Sequence, residues 1–214
     1  MIKLTKGDKP KILIENETIW RTEYIFSNNK ARRYAHDEIK EALRKETHDK
    51  CAYCEGKVKG TAYGHVEHII PKSYNSDLVV DWNNLTLACE VCNVEKRDKY
   101  DPDVPMINPY IDDPRNYFFF SGETIFALNG NNRAQLTIDT IKLNRTSLLE
   151  SRLDLLKDLA KLEKIWERET DEKSKQALEV FLMECIEAKA IFSACVCDFL
   201  SGTSFKKVID NARG

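Results

Sequence analysis

With 214 residues, the chain is long enough for one domain or two small ones, and 42% hydrophobic content is enough to bury a core. A formal net charge of −2 excludes a whole-protein polycation, so any nucleic-acid surface must be a local basic patch. No run approaches the ~20 apolar residues that span a bilayer, and the first residues carry no signal-like apolar stretch, which predicts a protein with no membrane part in the reducing cytoplasm.

Residues 1–27 read as an arm packed on a larger body. Lys-rich turns around Gly7–Pro10 precede Ile12-Leu13-Ile14 and Trp20, too little to form a core alone. Asn28 to Arg33 is polar and basic. A helix is expected over about Asp37–Glu46, with Asp37 and Glu38 in its first turn and Ile39, Ala42 and Leu43 as its apolar stripe. Arg44, Lys45 and Lys50 near its end read as a solvated, dipole-matched terminus.

The region from Cys51 to Lys99 organises the chain. Seven cysteines, an odd count in a reducing setting, point to metal ligands or buried thiols over disulfides. Cys51-Ala-Tyr-Cys54 and Cys89-Glu-Val-Cys92 are CxxC pairs, and two such turns complete a tetrahedral shell for a structural zinc ion. Residues 55–88 between the pairs exceed the ~15–20 of the usual ribbon spacing, so something is inserted between the two knuckles. Four thiolates would fill the shell, which leaves that zinc no open position for catalysis.

The insertion carries His65-Val-Glu67-His68-Ile-Ile-Pro71, whose alternation and β-branching suggest a strand ended by Pro71. Glu67 offers a hard oxygen ligand suited to magnesium or manganese. A histidine such as His68 can act as general base towards water. Neighbouring strand residues point to opposite faces, so the two can serve one phosphate only near a twisted or bulged strand end. His65 shares a face with Glu67 and is a further ligand candidate. Asn84, in Asn-Asn-Leu, is either a turn residue or a brace for the histidine-bearing strand.

After Cys92, Val94 to Tyr100 can form a helix. Asn93, Lys96 and Arg97 then stand at i, i+3 and i+4 on one face. Asn93 is a second oxygen ligand or a helix cap. Lys96 and Arg97, with Lys72 beyond Pro71, are phosphate-contact candidates.

Further on, Pro102, Pro105, Pro109 and Pro114 argue against regular structure. Tyr117 to Phe120 and Thr124 to Leu128 read as a short hairpin ended by Asn129-Gly-Asn-Asn132, its aromatics packed in a core. From Ala134 the pattern is helical. Leu155, Leu159, Leu162 and Trp166 mark one helix; Phe181, Cys185, Ala188, Phe192, Cys195 and Phe199 mark a second, beyond a polar break. The two should form an antiparallel helical hairpin, with Cys185 and Cys195 as buried small hydrophobes.

The separated elements CxxC, Glu-His-Ile-Ile-Pro, Asn-Leu and Cys-x-x-Cys-Asn-x-x-Lys resemble the HNH endonucleases. The resemblance implies an α+β fold: a zinc-stabilised ββα-metal core with an N-terminal arm and helix and a C-terminal helical hairpin. It places Glu67 and Asn93 at the metal positions, His68 at the general base, Asn84 at the middle motif position, and Cys51, Cys54, Cys89 and Cys92 on zinc. Glu67 and Asn93 depart from the commoner family residues while keeping ligand character. The flanks, including Leu143-Asn-Arg145, are similar to the HNH subunits of Septu-type anti-phage defence systems, which implies a PtuA-type ATPase partner and the C-terminal helices as a docking candidate. The expected division is 1–47 arm and helix, 48–110 nuclease core, and 111–214 hairpin and helical region. The function expected is metal-dependent hydrolysis of nucleic acid, DNA foremost. The rival readings are a zinc-stabilised binding module and a structural subunit of an ATPase complex.

Overall fold

Two helices lead into the motif region in the computed structural model, which describes residues 1–28, 30–58 and 64–213. The arm expected at the N-terminus is a helix, α1 (Lys11–Phe26), that starts directly after Pro10. The proline ring holds φ at −56°, a start that suits the first turn. Only Leu13, Trp20 and Tyr24 of α1 are buried, while Ile14, Ile19, Ile25 and Phe26 are exposed. Apolar residues therefore surround the helix, and no single stripe announces it. In α2 (Asp37–Thr47), the His36 ring accepts the Glu38 N–H, and Ile39 and Leu43 turn inward. They join Leu13, Trp20, Val79, Val80, Trp82, Leu85 and Leu87 in one apolar cluster. Each fully buried aliphatic side chain there contributes on the order of 1.5–3 kcal/mol.

β1 (His65–His68) and β2 (Leu85–Ala88) pair antiparallel, with Glu67 opposite Thr86 and His68 opposite Leu85. Gly64 admits this pairing, because a Cβ there would lie 2.5 Å from Leu87 Cδ1. α3 (Glu90–Lys96) begins earlier than the expected Val94. The Cys89 sulfur accepts the Cys92 N–H at 3.5 Å and serves as its cap, which places Asn93 in the helix interior and removes the capping role considered for it. β1, β2 and α3 together make a ββα unit.

β3 (Phe118–Ser121) and β4 (Thr124–Ala127) form the expected hairpin, turning through Gly122 at φ +58°. Its aromatics divide between faces: Phe118 enters the core, while Phe119 stacks on Phe126 at the surface.

The C-terminal part is helical: α4 (Asn132–Ile141), α5 (Thr146–Arg168), α6 (Glu172–Glu184), α7 (Ser193–Ser201) and α8 (Lys206–Arg213). α5 and α6 pack against each other. The second long helix, expected to run on to Phe199, instead stops at Glu184 and resumes at Ser193, after Phe192 at φ +51°. The reason lies in the first CxxC turn. Lys50 and Glu55 are buried 3.6 Å apart and need polar partners. The broken segment supplies them: the Ala190 carbonyl accepts from Lys50 Nζ at 2.7 Å, and the Ser193 hydroxyl donates to Glu55 Oε2 at 2.8 Å. One apolar core then runs from Cys51, Tyr53 and Cys92 through Ile138, Leu156 and Leu159 to Val196 and Phe205, so motif region and helices are packed as one. Among the described residues, no helix is long and apolar enough to cross a membrane.

Candidate metal centre and nuclease cleft

The two CxxC turns converge. The sulfurs of Cys51, Cys54, Cys89 and Cys92 lie within 4.8 Å of one another, and the Cys54–Cys89 separation is 3.9 Å. A tetrahedral zinc with Zn–S bonds of ~2.3 Å requires sulfurs about 3.8 Å apart, so the donor set fits a structural zinc in both chemistry and spacing. Hydrogen bonding from Cys51 draws the Cys54 thiol down to about 7, while burial pushes Cys51 well above the usual thiol range. Four thiols this close cannot all ionise without a cation between them. Cys185, Cys195 and Cys197 stand apart from this cluster; Cys195 is buried and donates to the Gly122 carbonyl at 3.4 Å.

Residues of β1 and α3 also line an open cleft of about 1020 Å³, among them His65, Glu67, His68, Lys72, Asn93 and Arg97. Glu67 and His68 both face it although they are adjacent on a strand. The register of β1 and β2 is unbroken, so no bulge brings them together; they share the cleft because His68 is the last strand residue. His68 is 5% exposed, and its Nε2 lies 2.9 Å from the Val79 carbonyl. A carbonyl only accepts, so Nε2 carries the proton and Nδ1 keeps a free lone pair. Burial, with Lys72 and Lys96 nearby, pushes the ring down to about 4, so it is uncharged at neutral pH. The Tyr34 ring meets it edge-on at 4.7 Å.

Glu67 is 3% exposed, and burial raises its carboxyl against the pull of Lys96. Lys96, expected on a phosphate-facing surface, is turned inward. It is 1% exposed, its Nζ sits 2.6 Å from Glu67 Oε1, and it donates to the His68 carbonyl at 2.7 Å. Helical spacing put it on the Asn93 face, but a short helix packed against β1 draws that residue into the contact. This ion pair supplies the counter-charge of the buried Glu67 carboxylate. The Glu67 carboxylate and the half-buried Asn93 amide line the same cleft, and hard oxygen donors of this kind fit a divalent cation.

Asn84 accepts the Ile70 N–H at 2.8 Å and donates to the carbonyls of Ile70 at 2.9 Å and Leu78 at 3.2 Å. It thus joins the chain after β1 to the turn that leads to Val79, the residue that orients His68. Lys72 is half-buried with its ammonium over the Tyr34 ring. Arg97 is exposed at the end of α3, and His65 is exposed at the start of β1. The motif did not point to Arg32, Tyr34 or Lys40, which also line the cleft. For Arg32 the signal was the basic character of the stretch before α2, of which Asn29 lies outside the described residues. The Val79 carbonyl is backbone, and no residue type announces it.

The comparisons with known proteins agree with this geometry. The HNH endonuclease family matches residues 51–99. Septu protein PtuB of Bacillus thuringiensis is 32% identical over 151 residues, covering 70% of this chain and 57% of the relative. Septu protein PtuB of Bacillus mycoides (strain KBAB4) is 28% identical over 157 residues, covering 59% and 53%. The chain thus spans a little more than half the length of the curated relatives it matches. A thiol cluster that fits zinc, a ββα unit and an acid and imidazole facing one cleft make residues 51–99 an HNH endonuclease domain, within a chain similar to Septu protein PtuB.

Proposed function

We propose that the chain is a metal-dependent endonuclease that hydrolyses phosphodiester bonds of DNA, as the nuclease effector of an anti-phage defence complex. One arrangement carries the reading: a buried neutral imidazole, oriented by the Val79 carbonyl, opens on the same cleft as the Glu67 carboxylate and Asn93. Glu67 and Asn93 would hold one magnesium or manganese ion, which when bound supplies Lewis-acid stabilisation of phosphoryl charge. His68 Nδ1 takes a proton from water, and that water attacks phosphorus in line with the departing 3′ oxygen. Burial keeps the ring unprotonated but makes it a reluctant base; the negative phosphate in the cleft offsets this by favouring the imidazolium. Arg97, Lys72 and Arg32 hold the backbone without reading bases. Lys96 stays out of that contact, joining α3 to β1 through Glu67 and the His68 carbonyl.

The relatives' name motivates the defence setting and a PtuA-type ATPase partner in the cytoplasm, with the C-terminal helices as the docking candidate. The test is plasmid cleavage in magnesium and in manganese, with and without that ATPase, comparing wild type with His68→Ala. Loss of ~10²–10⁴-fold in rate is expected for the variant. Equal cleavage by both removes His68 from the mechanism. Salt-sensitive DNA binding without cleavage in either metal points to a binding module instead.

A further inference from the structure

We propose that Arg145 is a cationic cap on the four-cysteine centre and locks the helical C-terminal part onto it. Arg145 precedes α5, far along the chain from the knuckles, yet its guanidinium reaches three of the four sulfurs. Nη1 lies 3.6 Å from Cys92 Sγ, and Nη2 lies 3.9 Å from both Cys54 Sγ and Cys89 Sγ. Its position is built. The Leu143 carbonyl is held by Arg152 Nη1 at 3.0 Å, and Arg152 is itself 1% exposed. Asn144 clasps β4 in both directions, accepting the Ile125 N–H at 3.0 Å and donating to its carbonyl at 2.9 Å. Three consecutive residues of the α4–α5 loop are thus fixed, and the third is aimed at sulfur.

The chemistry gives this contact a purpose. Zinc held by four thiolates carries a net charge of about −2 in a largely dry site, a costly arrangement. A guanidinium cannot deprotonate, and its planar fork spans several acceptors at once. N–H···S hydrogen bonds withdraw charge from the ligands and slow their protonation, oxidation and loss of the metal. Outer-shell partners of this kind typically change metal affinity by ~10–100-fold. The centre is therefore completed by a residue outside the HNH motif, and a chain lacking the α4–α5 loop would hold zinc less firmly. This inference is independent of whether the cleft cuts nucleic acid.

The test is transfer of zinc from purified, zinc-loaded protein to a chromophoric chelator, with Arg145→Met, Arg145→Lys and, as a control, Lys142→Met, whose side chain is exposed on the same loop. Arg145→Met should release zinc ~10–100-fold faster. Arg145→Lys should fall between it and wild type, since one ammonium keeps charge but cannot bridge three sulfurs, and Lys142→Met should match wild type. Hydrogen exchange at residues 51–54 should rise in the same order. A folded Arg145→Met that releases zinc at the wild-type rate overturns the proposal. Should Arg145→Met fail to fold, release from Arg145→Lys decides: faster than wild type supports it, and equal to wild type overturns it.

Discussion

The sulfur cluster and the cleft, both built on the β1–β2–α3 unit, follow different plans. At the sulfur end, four side chains converge away from solvent, and distant parts of the chain close over them: the loop at Arg145, the break at Ala190–Ser193 and the apolar core. At the cleft end, an acid, an imidazole and an amide line an open cleft, and the acid is paired with Lys96. The cleft end meets its buried carboxylate with Lys96, whereas the sulfur end leaves Tyr53 Oη, Arg145 Nε and Arg152 Nε without a hydrogen bond. What separates the two is enclosure: later parts of the chain cover the sulfur end, while the cleft stays open.

The contrast is broken most severely by removing zinc. Chelation in reducing buffer should unfold the motif region and the C-terminal helices in one transition, since they share a core, with a loss approaching the ~10–16 kcal/mol typical of structural zinc in small fingers. Circular dichroism against chelator concentration reads this, and a helical signal that survives knuckle unfolding would separate the two parts. Next comes Lys96→Met, which strands the Glu67 carboxylate without its counter-ion and should cost ~3–5 kcal/mol in urea denaturation. Adding Glu67→Gln should recover much of that loss. A single variant as stable as wild type would mean the pair is not an anchor.

The smallest effect is a pH dependence at the cleft end. In the unfolded chain His68 takes a proton below about 6.5, while in the fold burial holds the ring neutral down to about 4. Below 6.5 the unfolded state binds more protons, so stability falls as pH drops from about 6.5 towards 4, by up to about 3 kcal/mol. His68→Asn removes that contribution, and its urea midpoint should fall less between pH 7 and pH 5 than that of wild type. Parallel slopes would show that the ring is not held neutral by its surroundings.

What could be read in advance was whatever side-chain chemistry announces. Two CxxC pairs can meet only by folding back on each other, and His65 to Pro71 alternates as a strand. What could not be read depended on contacts across the fold. α1 looked like an arm because Ile14, Ile19 and Phe26 crowd its outer face. The break before Ser193 follows from the needs of Lys50 and Glu55, far earlier in the chain. Lys96 shares the helical spacing of Asn93, and spacing alone does not tell an inward residue from an outward one at a short helix end. Asn84 was legible as either turn or brace, and only its three hydrogen bonds show how it is held.

The single core shared by residues 51–92 and 138–209 has a consequence for biosynthesis. The knuckles emerge from the ribosome before the helices that cover them, so nascent Cys51, Cys54, Cys89 and Cys92 wait unsealed while Arg145 and Ser193 are still being added. A chain stalled in that window presents bare thiols and an uncovered apolar face, a form suited to capture by quality control.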